Sequence, residues 1–600
     1  MPFLGPGKAI RWSRLIGPAV ILLAAVVAIS PQLIRGNSCG HDFDFHLLSW
    51  LDVQNSWRSG LFYPHWAPSA NFGAGEPRFV FYPPLTWMLG AALGLALPWQ
   101  WVPIALTFLL LAGTGLATRA LARQALTDGA ATLAGCAALF SGYALFTAYE
   151  RSAFGELSGG LWIPLVLLLI LRDRNSSAPT LRTPLWKRAL DGSALPLALV
   201  MAGVWLSNVP LGVMASYLLA AVAVVAALLK KSWAPVLRAT MGAVLGIGLA
   251  ALYLVPAIVE QRWVDIRQAI DDPGLLIENS WLFARHANPM LELHDVELHR
   301  VSMIASGMIA VALIGLLVSW MRGSLPGGHR WWVPLALIPI AILFLQFPIS
   351  LPVWNLLPKL RFLQFPWRWL VVLEAPMAIF FASAVWCAGR WRRVAVATLC
   401  AVFFLTATVA AGRLFFQVCD DEDAVQGTLD VYRSGAGFLG TDEYEPPGAD
   451  DTMVPSGLPD SCLVKDPATV LGKGPEGGVP VWTADQGTCE AVFPKAPESW
   501  RVRPENLHIR ALIAHPGTLI LRLRSYPAWR VRVNGQPITA LPQREDGLLA
   551  VPVPQGPVDL TVDWTTTRDV IAGRWLSGLA ALLLTAVWFW ERKLARSRLS

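Results

Sequence analysis

The chain has 600 residues, of which 54% are hydrophobic and only 15% charged. Soluble proteins carry about a quarter charged residues, so this composition excludes a water-soluble fold and points to a polytopic membrane protein. The excess of 48 basic over 41 acidic side chains is no nucleic-acid signature, because the charges cluster at the ends of apolar runs.

The first apolar run, Leu15 to Ile34, follows Lys8, Arg11 and Arg14 in the manner of a signal peptide. Ala28-Ile29-Ser30 resembles a cleavage site, but Pro31 follows directly and blocks cutting, so the run is read as an uncleaved first helix with a cytoplasmic N-terminus. The polar stretch 35–98 comes next and opens with "HDFDFHLLSW". A simple reading makes Asp42 and Asp44 solvated acids capping the helix that follows. Against it, two acids occur with His41 and His46 within six residues beside the membrane. Positions 42 and 46 share one face of a helix start. One carboxylate there can take a proton from an attacking hydroxyl, or two can hold a divalent cation such as Mg or Mn against a phosphate. No metal or other cofactor is fixed by a motif. The remainder, "GLFYPHWAPSANFGAGEPRFVFYPPL", is aromatic and suits a membrane interface or a sugar ring. Gly73, Gly75 and Glu76 predict a tight loop close to a ligand.

Further apolar runs near 100–118, 129–148, 157–171, 193–208, 210–229, 240–259, 302–320, 331–348, 368–387, 394–412 and 570–590 bring the count to twelve. "PPLTWMLGAALGLAL", Pro83 to Leu97, is left out as a re-entrant or surface helix. With that choice Arg119, Arg123, Arg172, Arg174, Arg182, Lys187, Arg188, Lys230, Lys231, Arg238, Arg322, Arg330, Arg390, Arg392, Arg393, Arg592, Lys593, Arg596 and Arg598 all fall in the cytoplasm, as the positive-inside rule asks. Both termini are then cytoplasmic, and the segments 35–98, 260–301, 349–367 and 413–569 are extracytoplasmic.

"YERSAFGEL", Tyr149 to Leu157, falls at a turn between the third and fourth helices. Glu150, Arg151 and Glu156 sit there at the bilayer edge, where ionisable groups pair or face a cavity. Arg151 either closes the turn with a Glu or contacts phosphate, with Glu156 as a second carboxylate of the site. In the loop 260–301, His286, His294, His299 and Asp295 match no standard ligand spacing and are not read as a metal site. "LPKLRFLQFPWRWL", Leu357 to Leu370, places Lys359, Arg361 and Arg368 against the general charge rule, beside Trp367 and Trp369. Snorkelling is the plain alternative to a lipid-phosphate site there. Gln364 can hydrogen-bond donor or acceptor.

Residues 413–569 begin acidic and rich in Gly and Pro, and read as loop; "GTDEYEP" places Asp442, Glu443 and Tyr444 in it. The second half reads as strands. "LHIRALIA", "TLILRLRS", "AWRVRV", "GLLAVPV" and "VDLTVDW" alternate with period two, and Asn534-Gly535 marks a hairpin, which predicts a small antiparallel sandwich. Of seven cysteines, Cys136, Cys387 and Cys400 lie in helices; Cys39, Cys419, Cys462 and Cys489 fall where disulfides persist, and a Cys462–Cys489 bridge is the expected pair.

The ordered set "HDFDFHL", "GAGEPRFVFYPPL", "YERSAFGEL", "LPKLRFLQFPWRWL", "GTDEYEP" and "SYPAWRVRVNGQPI" resembles GT-C class membrane glycosyltransferases. More closely it resembles the bacterial membrane proteins labelled 6-pyruvoyl-tetrahydropterin-synthase-related and their YfhO-type relatives. Nothing in the chain suggests pterin chemistry. The resemblance implies a GT-C-like bundle that moves a sugar from a polyprenyl-phosphate donor to an extracytoplasmic glycan, lipid or protein acceptor. It also implies that Asp42 or Asp44 is the base. The expected substrate contacts are His41, His46, Glu76, Arg78, Tyr82, Glu150, Arg151, Glu156, Gln364 and Arg368. The expected division is a bundle over 1–412, with its loop 35–98 carrying the site, a β-rich domain over 413–569, and a last helix with a basic tail over 570–600. The expected location is the bacterial inner membrane. The rival readings are a lipid-linked sugar transporter, which the charge-poor helix interiors disfavour (Glu374 excepted), and a non-catalytic scaffold presenting the β-rich domain.

Overall fold

A computed structural model describes residues 13–172, 193–449, 454, 460–464 and 505–596. Lys8, Arg11, Arg174, Arg182, Lys187, Arg188, Arg598 and Cys489 lie outside the described residues.

All twelve apolar runs are helical, and most of them share one large core, whereas Ala251–Val259 packs into the cluster that holds the sandwich. Among the described residues eight helices are long and apolar enough to cross a membrane, or ten if each of two bent pairs is one span. The bent pairs are Ala234–Leu249 with Ala251–Trp263, at 72°, and His329–Leu345 with Pro348–Leu356, at 102°. Phe347 is extended at the second bend, because the proline after it clashes with a helical conformation. Two further runs form the shorter helices Leu15–Ala28 and Ala194–Ser207.

The helix Pro84–Ala96 has 13 residues. It rises about 20 Å at 1.5 Å per residue, short of the ~30 Å hydrocarbon core. It lies along the helix Phe43–Arg58, and Gly90 leaves room for the ring of Trp50, where a Cβ would come within 2.2 Å.

Among the described residues seven antiparallel strands follow: β1 Ser461–Val464, β2 Asn506–Ile513, β3 Gly517–Arg524, β4 Trp529–Val533, β5 Gln536–Ile538, β6 Leu548–Val553 and β7 Gly556–Trp564. They form a β1-β3-β6 sheet and a β2-β7-β4-β5 sheet. Buried Leu519, Leu521, Val531, Leu549, Val551, Leu560 and Val562 meet between the two sheets. Asn534 and Gly535 both hold positive φ, 51° and 77°, as the turn joining β4 to β5 demands. The sandwich is the expected one.

The sandwich packs on the loop 60–76: Trp66 meets Trp529 and Trp564, and the backbone of Arg524 donates to the carbonyl of Ala74 at 2.8 Å. Gly75 is small for this reason, since a Cβ there would fall 2.0 Å from the Trp66 indole. The tight loop expected to meet a ligand closes on the protein itself.

Residues 413–449 cross this surface as a strap. A Cys39–Cys419 disulfide anchors one end, across 380 residues of sequence. Val425 and Leu429 join the bundle core. Tyr432 donates to Asp52 at 2.9 Å, and the Phe72 amide donates to the Phe438 carbonyl at 2.8 Å. Cys462 is buried at the sandwich edge.

Asp52 is fully buried, and burial pushes its carboxyl up from the ordinary 3.8 to about 6 despite bonds from Ser69 and Tyr432 and the nearby Arg78 charge. Between those two values the folded chain keeps a proton that the unfolded chain releases, so Asp52 makes stability fall as pH rises through that window. Asp52→Asn is expected to flatten this part of the decline in thermal unfolding of the detergent-solubilised chain. Parallel curves for variant and wild type from pH 4 to 7 would refute it.

Candidate functional site

Asp42 is the N-cap of the helix Phe43–Arg58, yet its carboxylate makes no capping bond. The backbone around it is held elsewhere. The amide of Asp42 donates to the Arg151 carbonyl at 2.9 Å, Ser38 Oγ donates to the Tyr149 carbonyl at 2.7 Å, and Ser152 Oγ donates to the Ser38 carbonyl at 2.7 Å. Gly40 allows this contact, since a Cβ there would lie 2.4 Å from the Glu150 carbonyl. The partner segment is itself unusual: a π-turn over Thr147–Arg151, closed by Ser152 at φ 50°. The widened turn sends successive side chains apart. Glu150 pairs with Arg300 at 2.6 Å, whereas Arg151 turns to Glu156 at 2.7 Å and to Asp42 at 3.9 Å.

Glu156 is shared. It accepts from Arg151, lies 3.4 Å from Arg368 Nε, and accepts a hydrogen bond from the Tyr143 hydroxyl. Arg368 also donates to Gln364 Oε1 at 2.9 Å, while Gln364 Nε2 donates to the Ala269 carbonyl at 2.6 Å. Lys359 and Gln364 both hold positive φ, 62° and 63°, so the loop before Arg368 is tightly folded around these contacts.

This cluster lies at one end of a cavity of about 480 Å³. His41, Asp42, Tyr82, Glu156, Lys359, Gln364 and Arg368 line its polar part. Val209, Val213, Leu254, Ala257, Ile258 and Phe362 line an apolar part. The strap adds Thr441, Glu443 and Tyr444. Burial pushes the Glu443 carboxyl up to about 7, with Glu76 and Asp442 adding to the effect. From sequence Glu443 either borders an acceptor entrance or sits in a solvated loop; the strap folds it over the cavity.

Not every expected contact reaches this space. Asp44, two positions along the helix from Asp42, does not line the cavity, and burial with the nearby Asp423 charge raises its carboxyl to about 6. Two residues on a helix are about 200° apart, so the two carboxylates diverge. His46 is buried against Trp50, Tyr82 and Phe154 with neither ring nitrogen bonded, and burial lowers it to about 4. It is a neutral packing residue one ring behind the cavity wall. Glu76 and Arg78 pair at 2.6 Å in the interior; Glu76 also accepts from the Thr441 amide at 2.7 Å, and Arg78 lies over Phe45. They brace the strap and do not line the cavity. Arg361 turns away to Glu278 at 2.8 Å. His286 pairs with Asp295 at 2.6 Å.

The side chains present do not fit a divalent cation. Asp42 and Asp44 diverge, and among the described residues no group of three or more His, Cys, Asp or Glu converges.

The chain is similar to the apo oligosaccharyltransferase of Archaeoglobus fulgidus, with 12% identity and a TM-score of 0.44, over 73% of this chain and 62% of that one. It is also similar to the arabinofuranosyltransferase AftD from Mycobacteria, with 20% identity and a TM-score of 0.38, over 68% of this chain and 27% of that one. It therefore spans less than two thirds of the length of either. No curated protein matches the sequence. A family profile described as 6-pyruvoyl-tetrahydropterin synthase related domain, membrane protein, matches residues 79–415, more than half of the sequence. The chain belongs to this family of membrane proteins.

Proposed function

We propose that the protein is a GT-C-like glycosyltransferase of the bacterial inner membrane, with the sandwich and the strap on the extracytoplasmic side and both termini in the cytoplasm. The proposed division keeps 1–412 as the bundle, 413–569 as the extracytoplasmic part and 570–600 as the last helix and tail. One observation carries the reading. A carboxylate free of capping bonds, Asp42, faces a cavity that has buried arginines beside it and an apolar lining beyond. Such a space suits a ligand that is half lipid and half sugar phosphate.

In the proposed reaction an acceptor hydroxyl attacks the anomeric carbon of a polyprenyl-phosphate sugar. Asp42 takes the hydroxyl proton as the new C–O bond forms. The bond from the anomeric carbon to the phosphate oxygen breaks, and the electron pair leaves with the polyprenyl phosphate. Arg368 and Lys359 stand where they can hold that growing charge, Arg with a fork that matches phosphate. Tyr82 and Tyr444 offer ring faces to the sugar. Gln364 fixes Arg368 rather than the substrate.

The test is mass spectrometry of the lipids bound to the purified chain and to Asp42→Asn. A polyprenyl-phosphate sugar enriched on the variant is expected, as a donor trapped before transfer. Bulk phospholipid alone on both well-folded preparations would sink the proposal and favour a scaffold.

A further inference from the structure

A second cavity, of about 320 Å³, lies on the other side of the wall that bounds the first. The segment 79–83 separates the two: Phe79 and Val80 face the second, whereas Phe81, Tyr82 and Pro83 face the first. Tyr253 lines both and is pinned by its hydroxyl to the Phe81 carbonyl at 2.5 Å. The second cavity is closed on its far side by the last helix, through Val570, Arg574 and Ser577.

Arg574 is the feature that needs an explanation. It lies in the candidate span Arg568–Arg592 with its side chain exposed at the mouth of this cavity, and it makes no hydrogen bond or ion pair to any described residue. Its charge is close enough to Tyr63 to act on that phenol, which lines the same cavity. Ser577 is already spent on the Leu249 carbonyl at 2.9 Å and on the Leu252 amide at 2.8 Å. The cavity thus offers one unpaired guanidinium, one phenol and the His65 ring, which Glu505 already engages at 3.3 Å, over a lining of Val80, Leu252, Pro256 and Val570.

Position identifies the ligand class. Arg574 is six residues into the helix from Arg568, about 9 Å along its axis. A span that enters the bilayer at Arg568 puts Arg574 close below the head groups, where the available anions are lipid phosphates. An unpaired arginine beside apolar walls at that depth matches a phosphate on an acyl or prenyl chain better than it matches a soluble anion.

We propose that this cavity is a binding site for a phosphate-headed lipid, distinct from the site that holds Asp42. Arg574 takes the phosphate, Tyr63 donates a hydrogen bond to it, and the first carbons of the chain lie against Leu252 and Pro256. The site stands whether or not the protein transfers sugars.

The experiment uses the full chain in nanodiscs containing phosphatidylglycerol and added undecaprenyl phosphate, with retained lipids counted by native mass spectrometry. Arg574→Ala is expected to lose one retained lipid phosphate per chain, with affinity weakened about ten-fold or more, as loss of a charge-assisted contact implies. Tyr63→Phe should weaken it less and keep the fold. Arg568→Ala should leave retention unchanged. The mass of the lost lipid names its source, a glycerophospholipid or a polyprenyl phosphate. Retention on Arg574→Ala equal to wild type, in a folded preparation, would overturn the assignment. Arg368→Ala serves as the reference for the first cavity: loss of the same lipid from that variant, and not from Arg574→Ala, would also overturn it.

Discussion

Asp42→Asn is expected to slow the proposed transfer by about 10²- to 10⁴-fold, the range for removing a general base, while Asp44→Asn costs less than about ten-fold. The two residues look equivalent in "HDFDFHL" and are not equivalent in space. Asp42 sits before the first helical turn and opens on the cavity, 3.9 Å from Arg151. Asp44 is inside that turn, lies near the Asp423 charge and has one buried oxygen without a hydrogen bond. An ionised Asp44 is therefore a burden above about pH 6, and Asp44→Asn should raise the unfolding temperature at pH 8. The pair of variants is measured together, by transfer from a polyprenyl-phosphate sugar and by thermal unfolding. Equal loss of transfer in both, or full activity in Asp42→Asn, would remove Asp42 from the role of base.

What could be read from the sequence followed physical range. Period-two alternation over residues 507–564 and the Asn534-Gly535 turn are local signals, and the strands appear where those signals place them. Apolar length is also local, and every run is a helix, though a local count cannot see that Ala234–Trp263 bends by 72°. Arg151 and Glu156, five residues apart, were legible as a pair. Side-chain direction at a helix cap was not, because it depends on the segment 149–152 that holds the backbone of Asp42. Glu443 was harder still. It reaches the cavity because a disulfide from Cys39 to Cys419 and the bond from Thr441 to Glu76 lay the strap across the loop. Each contact joins residues hundreds of positions apart, and four candidate cysteines allow three connectivities. Glu76 and Arg78 carry the opposite lesson. Gly73, Gly75 and Glu76 suggested a loop close to a ligand, and Glu76 is spent on Arg78.

Glu156→Gln is expected to destabilise the fold by about 3–5 kcal/mol, the cost of leaving buried charge uncompensated. Glu156 stands between two guanidinium groups, Arg151 at 2.7 Å and Arg368 at 3.4 Å, and all three side chains are nearly sealed from solvent. The amide keeps the shape and can still accept from Tyr143, so the change isolates the charge. With the carboxylate gone, two cations face each other across a neutral group, and among the described residues Asp42 and the more distant Glu297 are left to offset them. Arg368→Gln on top of Glu156→Gln removes one of those cations and should restore part of the lost unfolding temperature, so the double variant is more stable than the Glu156→Gln single. Additive losses would mean that Glu156 and Arg368 do not interact. An unchanged unfolding temperature in Glu156→Gln with transfer abolished would instead make Glu156 a second substrate carboxylate, and the positive pair would then be balanced by the ligand rather than by the fold.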